Sequence, residues 1–296
     1  MSNIAILGST GMLGSTMTRV LEQQFGSVIE LNRSGESVTG NNRALRLNLL
    51  EEYDLRSLFK NFEVEYVFNA TGLIKQKINP RNDLDLIAAN LVNNTFVQNL
   101  NNFSIMTGVK VIQIGTDCVY SGEDGNYSES DPFNPTDVYS KTKCLGEVAS
   151  SEVMTLRCSI IGKENTGVFS LLSWVLNQPL NSKVNGFTNH YWNGLTTLHF
   201  SKIVSGIIQS ESFAKGVRHV VPRDTVSKYE LVKFIAASFG RLDLDIQEFS
   251  TDTKVNRILS TVNPERNLQF WQDAGYDDIP SILDMVTEYS NWVSLG

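Results

Sequence analysis

The 296-residue chain contains only three cysteines and three histidines. Cys118, Cys144 and Cys158 are odd in number and widely spaced, which fits neither a zinc site nor a disulfide framework. They read as small buried apolar side chains in a reducing cytosol. His190, His199 and His219 suggest no metal cluster, so no metal is expected. Basic charge is not in excess: 25 Lys and Arg stand against 32 Asp and Glu, a formal net charge of −7. Bulk electrostatics therefore give no support to nucleic-acid binding. A basic leader is lacking as well. Met1-Ser2-Asn3 runs straight into Ile4–Leu7, and the apolar run stops at Gly8, too short for a signal peptide or a membrane span. The expectation is a cytoplasmic protein off the membrane. The chain shows no internal repeat, low-complexity tract or long linker.

What is present is ordinary globular material, 41% hydrophobic and 19% charged, enough for a sizeable core. The first half alternates between two periods. Short apolar runs at Ile4–Leu7, Val28–Leu31, Ala44–Leu47, Tyr66–Phe68, Val109–Ile114 and Met154–Ile161 read as buried strands. Leu13, Met17, Leu21 and Phe25 recur at helical spacing between them. A longer helix follows, with Leu86, Asn90, Asn94 and Gln98 on one line and Ile87, Leu91, Thr95 and Phe96 inward. Strands alternating with helices predict an α/β fold of Rossmann type, a doubly wound parallel sheet. After Ile161 the pattern loosens. Helices are expected at 169–176, 197–210, 228–239 and 281–293, and a strand at Val217–Val221. This gives a dinucleotide-binding domain over 1–161, with 194–212 returning to it. A smaller C-terminal α/β substrate lobe is built from 162–193 and 213–296.

Gly8-Ser9-Thr10-Gly11-Met12-Leu13-Gly14 follows the first strand and opens the first helix. Glycines let the chain turn tightly and let backbone N–H groups approach a pyrophosphate. The helix N-terminus adds free N–H groups and partial positive charge. Gly8, Thr10, Gly11, Met12, Leu13 and Gly14 are therefore candidate cofactor contacts. At the end of the second strand Asn32 stands where an acid would bind a ribose 2′-hydroxyl, with Glu30 directed away from that tip. Arg33 and Ser34 can bind a 2′-phosphate, which favours NADP, with NAD as the alternative.

Tyr139 and Lys143 lie four residues apart, just after Asn134-Pro135-Thr136-Asp137. Proline breaks the preceding structure, and Thr136 or Asp137 can cap a new helix. Residues i and i+4 then share a face. Carbonyl reduction needs a proton donor, and a free tyrosine is a weak acid near neutrality. A nearby ammonium stabilises the phenolate. Alone, the pair reads as an ordinary helix-surface contact. The fifth strand adds to it by delivering Thr116 and Asp117 to its C-terminal end, where ligands bind in open α/β sheets. Thr116, Tyr139 and Lys143 would supply an oxygen binder, an acid and a tuner.

Taken in order, the glycine loop, Asn69-Ala70-Thr71-Gly72, Thr116-Asp117-Cys118-Val119-Tyr120-Ser121-Gly122 and Tyr139-x-x-x-Lys143 resemble the extended short-chain dehydrogenase/reductases. Within them the chain looks most like the dTDP-4-dehydrorhamnose reductase branch. The resemblance covers about the first 160 residues well and the remainder loosely. It implies an oxidoreductase of deoxysugar and polysaccharide biosynthesis that reduces a 4-keto nucleotide sugar with NAD(P)H, as a homodimer. It implies that Thr116, Tyr139 and Lys143 are catalytic. It also places Asn48 and Leu49 at the adenine, Ala70, Thr71 and Gly72 along the cofactor, and Cys158 and Ile160 near the nicotinamide. Asn90 falls within the supporting helix.

A nucleotide-sugar substrate calls for cations and aromatic platforms. The segment 184–194 is dense in such groups, and Asn185, Asn189 and Trp192 are its candidates. Lys75, Asp117 and Arg257 join them; Arg223, Lys254 and Arg257 are candidate phosphate partners, each of which alone also reads as a plain surface charge. The segment lacks the glutamine and proline of the branch's Asp-Gln-x-Gly-x-Pro-Thr substrate loop, which leaves dTDP-4-dehydrorhamnose and a UDP-N-acetyl-amino sugar both open. Two other readings remain. One is an epimerase or dehydratase with bound NAD, although Cys118 stands where a dehydratase usually has a second acid. The other is a non-catalytic regulatory subunit like that of methionine adenosyltransferase.

Overall fold

The structure is a computed structural model, which describes residues 3–148 and 151–295; residues 1–2, 149–150 and 296 lie outside it. In chain order the first strands are β1 (Asn3–Leu7), β2 (Ile29–Asn32), β3 (Ala44–Arg46), β4 (Val64–Asn69), β5 (Lys110–Ile114) and β6 (Met154–Arg157). Then come β7 (Ile160–Ile161), β8 (Lys183–Phe187), β9 (His190–Trp192), β10 (Leu195–Thr196) and β11 (Gly216–His219). The last are β12 (Val226–Ser227), β13 (Asp245–Phe249) and β14 (Val255–Asn256). Helices α1 (Met12–Phe25), α2 (Leu55–Phe59), α3 (Asp83–Asn90), α4 (Phe96–Thr107) and α5 (Val138–Val148) serve the first half. Helices α6 (Leu171–Leu176), α7 (Thr197–Gln209), α8 (Lys228–Ser238), α9 (Pro264–Asp273) and α10 (Ile282–Leu295) complete the chain.

Seven strands form one parallel sheet in the order β11-β6-β5-β4-β1-β2-β3. Alternate residues of a strand face opposite sides. Ile4 and Ile6 of β1 accordingly join a core with Leu13, Met17 and Leu21 of α1 and with helices of the second half. Ala5 and Leu7 join a second core with Phe96, Leu100 and Phe103 of α4. Burial on both faces explains why the strands read as continuous apolar runs rather than alternating ones. The chain reverses direction across the sheet between β1 and β4, which opens a crevice at their C-terminal ends.

Four expectations change. The run Met154–Ile161 is two strands, not one: β6 pairs with β5 and β11, whereas β7 pairs with β10 after a break at Cys158-Ser159. The strand near Val217 joins the edge of the main sheet, although it was assigned to the lobe. The segment 184–194 is β8, a turn and β9 rather than a loop, with β8 on β13 and β9 on β12 and β14. The long helix, finally, contains a π-turn at Leu91–Thr95 between α3 and α4. Such a turn inserts a residue and rotates the inward stripe. Ala89, Asn93, Phe96, Val97 and Leu100 are buried, while Ile87, read as inward, is 55% exposed. No helix among the described residues is long and apolar enough to cross a membrane.

The loop between β1 and α1 is tightly specified. Gly8 adopts φ +79°, and a Cβ on Gly14 would stand 2.0 Å from the Gly8 carbonyl oxygen. At Gly11 the same oxygen would be 3.3 Å away. Gly14→Ala should therefore cost about 1–3 kcal/mol of stability or more, as overpacking does, and Gly11→Ala clearly less. Thermal unfolding of the two variants checks this, and equal melting temperatures would contradict it.

Candidate active site

Helix α1 begins at Gly11 with no side-chain cap and no acid in its first turn. Its first N–H groups are thus left to an external anion. Ala70 and Thr71 flank the loop: the Thr71 methyl and the Ala70 carbonyl carbon would lie 3.2 and 3.3 Å from a Cβ on Gly8. Thr71 is fixed by N–H and hydroxyl bonds to Asn69 Oδ1 at 3.0 and 2.6 Å. A glycine cradle, an uncapped helix start and a neighbouring strand end fit a dinucleotide pyrophosphate. Leu13 is a core side chain, so only its backbone can serve there.

The strand-two tip differs from expectation. The Asn32 side chain is consumed internally: its amide donates to Ser9 and to the Glu36 carbonyl, each at 2.8 Å. Its oxygen accepts from Ser34 and Gly35. Asn32 therefore shapes the 32–36 turn rather than offering itself to a ribose. Arg33 is exposed on that turn with no ion-pair partner among the described residues. Ser34 is exposed beside it but spends its hydroxyl on Asn32. Glu30 turns away from the tip, as expected, and accepts the Val38 N–H at 2.9 Å. Asn48 bonds Glu51 at 2.7 Å, Leu49 packs against the second core, and Gly72 is exposed. Cys158 is 2% exposed and packs in the core, which leaves its thiol no open surface, whereas Ile160 packs against the same core and is half-buried.

Asp137 starts α5, accepting the Ser140 N–H and hydroxyl at 2.8 Å each. Lys75 pairs with this same Asp137 at 2.9 Å. Lys75 thus reaches the start of the candidate catalytic helix, and its charge is engaged with the cap. Two residues on, Tyr139 stands beside Thr116, whose hydroxyl opposes the rise of the phenol pKa. Burial nevertheless pushes the phenol well above its usual pKa, and the Cys118 and Asp117 charges push the same way. Lys143 is 7% exposed and donates to the Ile114 carbonyl at 3.2 Å. Burial lowers its pKa, against the pull of Glu147. The expected order of influence is thus modified: desolvation dominates both groups, and Tyr139 is held as the neutral phenol.

Behind this helix packs Asn93, not the exposed Asn90. Its amide donates to Thr142 Oγ1 at 3.1 Å and to the Leu73 carbonyl at 3.0 Å. A Cβ on Gly146 would lie 2.3 Å from the Asn93 carbonyl oxygen, so α5 crosses the π-turn at very close range. Asn90 stays on the outer line that the helical period predicts, and the π-turn is what brings Asn93 inward.

On the other side of Thr116, burial raises the Asp117 pKa, opposed by the charges of Arg257 and Lys228. Arg257 donates from Nε to the Tyr120 carbonyl at 3.0 Å and lies across Gly122. Trp192 is 3% exposed, donates to Ser159 at 2.9 Å, and has the Lys228 ammonium 5.2 Å from its ring centre. Of the expected substrate groups, Asp117, Trp192 and Arg257 are brought together. Asn185 is exposed on β8, and Asn189 ties its turn to Thr251 at 2.7 Å. Arg223 pairs with Asp284 at the surface, and Lys254 lies over Tyr191.

Lys228 was not legible from sequence. It opens α8, where a cation opposes the helix dipole, and no ion pair holds it among the described residues. Burial lowers its pKa to about 8, partly offset by Asp117 and Cys118. A site that breaks a local rule this way trades stability for function. The sign follows from the lowered value. The unfolded chain binds the extra proton between about 8 and 10.5, so this cost is full below that window and fades as pH rises through it. Lys228→Met should raise the melting temperature near neutrality, with the gain shrinking across that window. A gain independent of pH, or none, would contradict the assignment.

A glycine cradle on a doubly wound parallel sheet, with a threonine, tyrosine and lysine at its C-terminal edge, defines a Rossmann-type α/β protein. The chain belongs to the RmlD substrate binding domain family, whose model matches residues 1–267. It is 26% identical over 148 residues to the spore coat polysaccharide biosynthesis protein SpsK of Bacillus subtilis, 50% of this chain and 47% of that protein. The match thus spans about half of that relative. A dTDP-4-dehydrorhamnose reductase of Aggregatibacter actinomycetemcomitans is 24% identical, over 78% of this chain and 76% of that one. Methionine adenosyltransferase 2 subunit beta of Xenopus tropicalis is 21% identical, over 88% and 78% respectively. Among solved structures, a dTDP-4-dehydrorhamnose reductase of Clostridium acetobutylicum superposes with a TM-score of 0.76 at 18% identity, covering 99% of each chain. One of Bacillus anthracis, in complex with NADP, gives 0.77 at 15% identity, covering 99% of this chain and 100% of that one. These two likenesses establish the fold.

Proposed function

We propose that this chain is an NAD(P)H-dependent reductase of the 4-keto group of a 4-keto-6-deoxy nucleotide sugar, with Tyr139 as proton donor. The observation that carries the reading is the grouping of Thr116, Tyr139 and buried Lys143 on the sheet edge next to the glycine cradle. Family membership and the reductase of Aggregatibacter support it. The NADP-bound neighbour supports the choice of cofactor.

The bound cofactor supplies the hydride. The uncapped start of α1 binds its pyrophosphate, and exposed Arg33 is available to a 2′-phosphate. Thr116 and Tyr139 bind the substrate carbonyl oxygen from one side, which orients it. Tyr139 carries its proton throughout the neutral range because burial disfavours the phenolate. It gives that proton up as negative charge develops on the substrate oxygen. Lys143 then stabilises the phenolate through its charge. Lys228 and Arg257 offer positive charge, and Trp192 an apolar wall, to the sugar and its diphosphate.

A second reading, a regulatory subunit that acts by binding, is favoured by the Xenopus relative's coverage of 88% of the chain. Turnover separates the two. The wild type should oxidise NADPH with one member of a panel of dTDP-, UDP-, GDP- and CDP-linked keto sugars. That ligand should also raise the melting temperature, because it binds only the folded state. Tyr139→Phe should lower kcat at least about 100-fold while NADPH still binds. Full activity in Tyr139→Phe would exclude Tyr139 as donor, and inertness toward the whole panel would favour the regulatory reading. Arg33→Ala should weaken NADPH about tenfold, or about 1.4 kcal/mol, and leave NADH binding unchanged; equal effects on both would remove Arg33 from the site.

A further inference from the structure

One helical turn beyond Lys143, α5 carries Glu147, so Tyr139, Lys143 and Glu147 follow at successive spacings of four along one face. Glu147 Oε2 accepts from Arg157 Nη2 of β6 at 2.5 Å, and the two side chains are 2% and 1% exposed. Arg157 lies between rings, 5.3 Å from the Tyr120 centre and 5.0 Å from that of Phe133. Its Nη1 donates to the Tyr120 hydroxyl at 2.8 Å and to His219 Nε2 at 2.7 Å. His219 Nδ1 is 2.6 Å from the Ser260 carbonyl oxygen, which can only accept. Nδ1 therefore carries the hydrogen, Nε2 accepts, and the imidazole is neutral. This assignment leaves Arg157 with its positive charge and Glu147 as the carboxylate that answers it.

A buried ion pair is a poor source of stability, because desolvation offsets most of the attraction and apolar replacements are often neutral. Its value here lies in its position. We propose that Glu147, clamped by Arg157, is a positioning residue for the active site: it fixes the rotation of α5 on β6 and keeps Lys143 an ammonium. This rests on the reading of Tyr139 and Lys143 given above. Lys143 is buried against β5 with a single carbonyl acceptor there, and burial alone favours the neutral amine. Glu147 is the leading charge that opposes this loss, with Cys144 contributing in the same direction. Among the described residues, the charged and titratable groups near Glu147 include Arg157 from β6, Tyr120 from the turn after β5, and Tyr139, Lys143 and Cys144 from its own helix. Beyond Arg157 stand His219 and Glu129, the latter accepting the His219 N–H at 2.8 Å. If the carboxylate were lost, Arg157 would leave an uncompensated cation behind the lysine.

The test is Glu147→Gln in the full chain, which keeps shape and an acceptor oxygen but removes the charge. The Lys143 ε-carbon is followed through a pH titration by carbon-13 NMR, assigned with Lys143→Arg. The midpoint should fall by about one unit or more, and Glu147→Asp should restore most of it. In steady-state kinetics the alkaline limb of kcat/KM should move down by the same amount, with the KM for NADPH little changed. If Glu147→Gln does not fold, the pair variant E147Q/R157M removes both buried charges and should show a downward shift that is smaller, because the Arg157 cation is gone as well. An unmoved Lys143 midpoint in a folded variant overturns the proposal, whatever happens to turnover. Full activity in Tyr139→Phe would overturn the reading on which it rests and leave the titration result standing.

Discussion

Seven parallel strands impose a return journey after each one, because the next strand must start at the same end. The chain makes those returns through helices and long crossovers, and every strand therefore delivers its C-terminal residue to one edge of the sheet. Gly8, Ala70, Thr116 and Ser159 all follow strand ends on this edge. Residues far apart in sequence meet there, while the apolar strand bodies fill two cores behind them. The fold's main constraint thus creates the site and leaves its chemistry to the loops.

The electrostatics of that edge are set by burial more than by pairing. Asp117, Tyr139, Lys143 and Lys228 are all displaced toward their neutral forms, with desolvation the leading cause in each case. Cys118 is carried along, its thiol pushed up to about 12. Charges in such a place act strongly on one another because little water screens them. The groups nearest the reaction are consequently sensitive to a carboxylate such as Glu147, a full helical turn behind them. The Glu147–Arg157 pair also joins α5, through His219, to the 257–262 segment that carries Arg257. One buried polar chain thereby runs from the helix that carries Tyr139 and Lys143 to the segment that carries Arg257.

Much of this was readable from the chain itself. The apolar runs mark six strands because both sheet faces are buried, and the Asn134–Asp137 segment announces α5 through a proline and a capping acid that do what their chemistry predicts. The glycine loop is legible because only glycine fits beside the Gly8 carbonyl. Other features escaped for physical reasons. The π-turn shifts the inward stripe, so a strict helical period points the exposed Ile87 inward and misses the buried Asn93. Cys158 and Ser159 interrupt an apolar run without any local breaker, because β6 and β7 have different partners. The second half builds sheets from strands of two to five residues, too short for periodicity to register. Asn32 and Asn189 look like ligand-binding amides, yet their oxygens and nitrogens are spent on internal bonds, Asn32 on Ser9 and its own turn and Asn189 on Thr251. Lys228 reaches Asp117 only through the tertiary fold.

The central claim is that this edge transfers a hydride to a sugar carbonyl as Tyr139 protonates the oxygen. Its most direct measurement is the fate of the transferred hydrogen. Purified protein is given NADPH deuterated on the nicotinamide and the panel of keto nucleotide sugars, and the products are read by mass spectrometry and proton NMR. The account predicts that one sugar nucleotide gains a single deuterium, on the carbon that bore the carbonyl, with one cofactor oxidised per product formed. Product formed without deuterium at that carbon, or a panel returned unchanged with no cofactor oxidised, would contradict it.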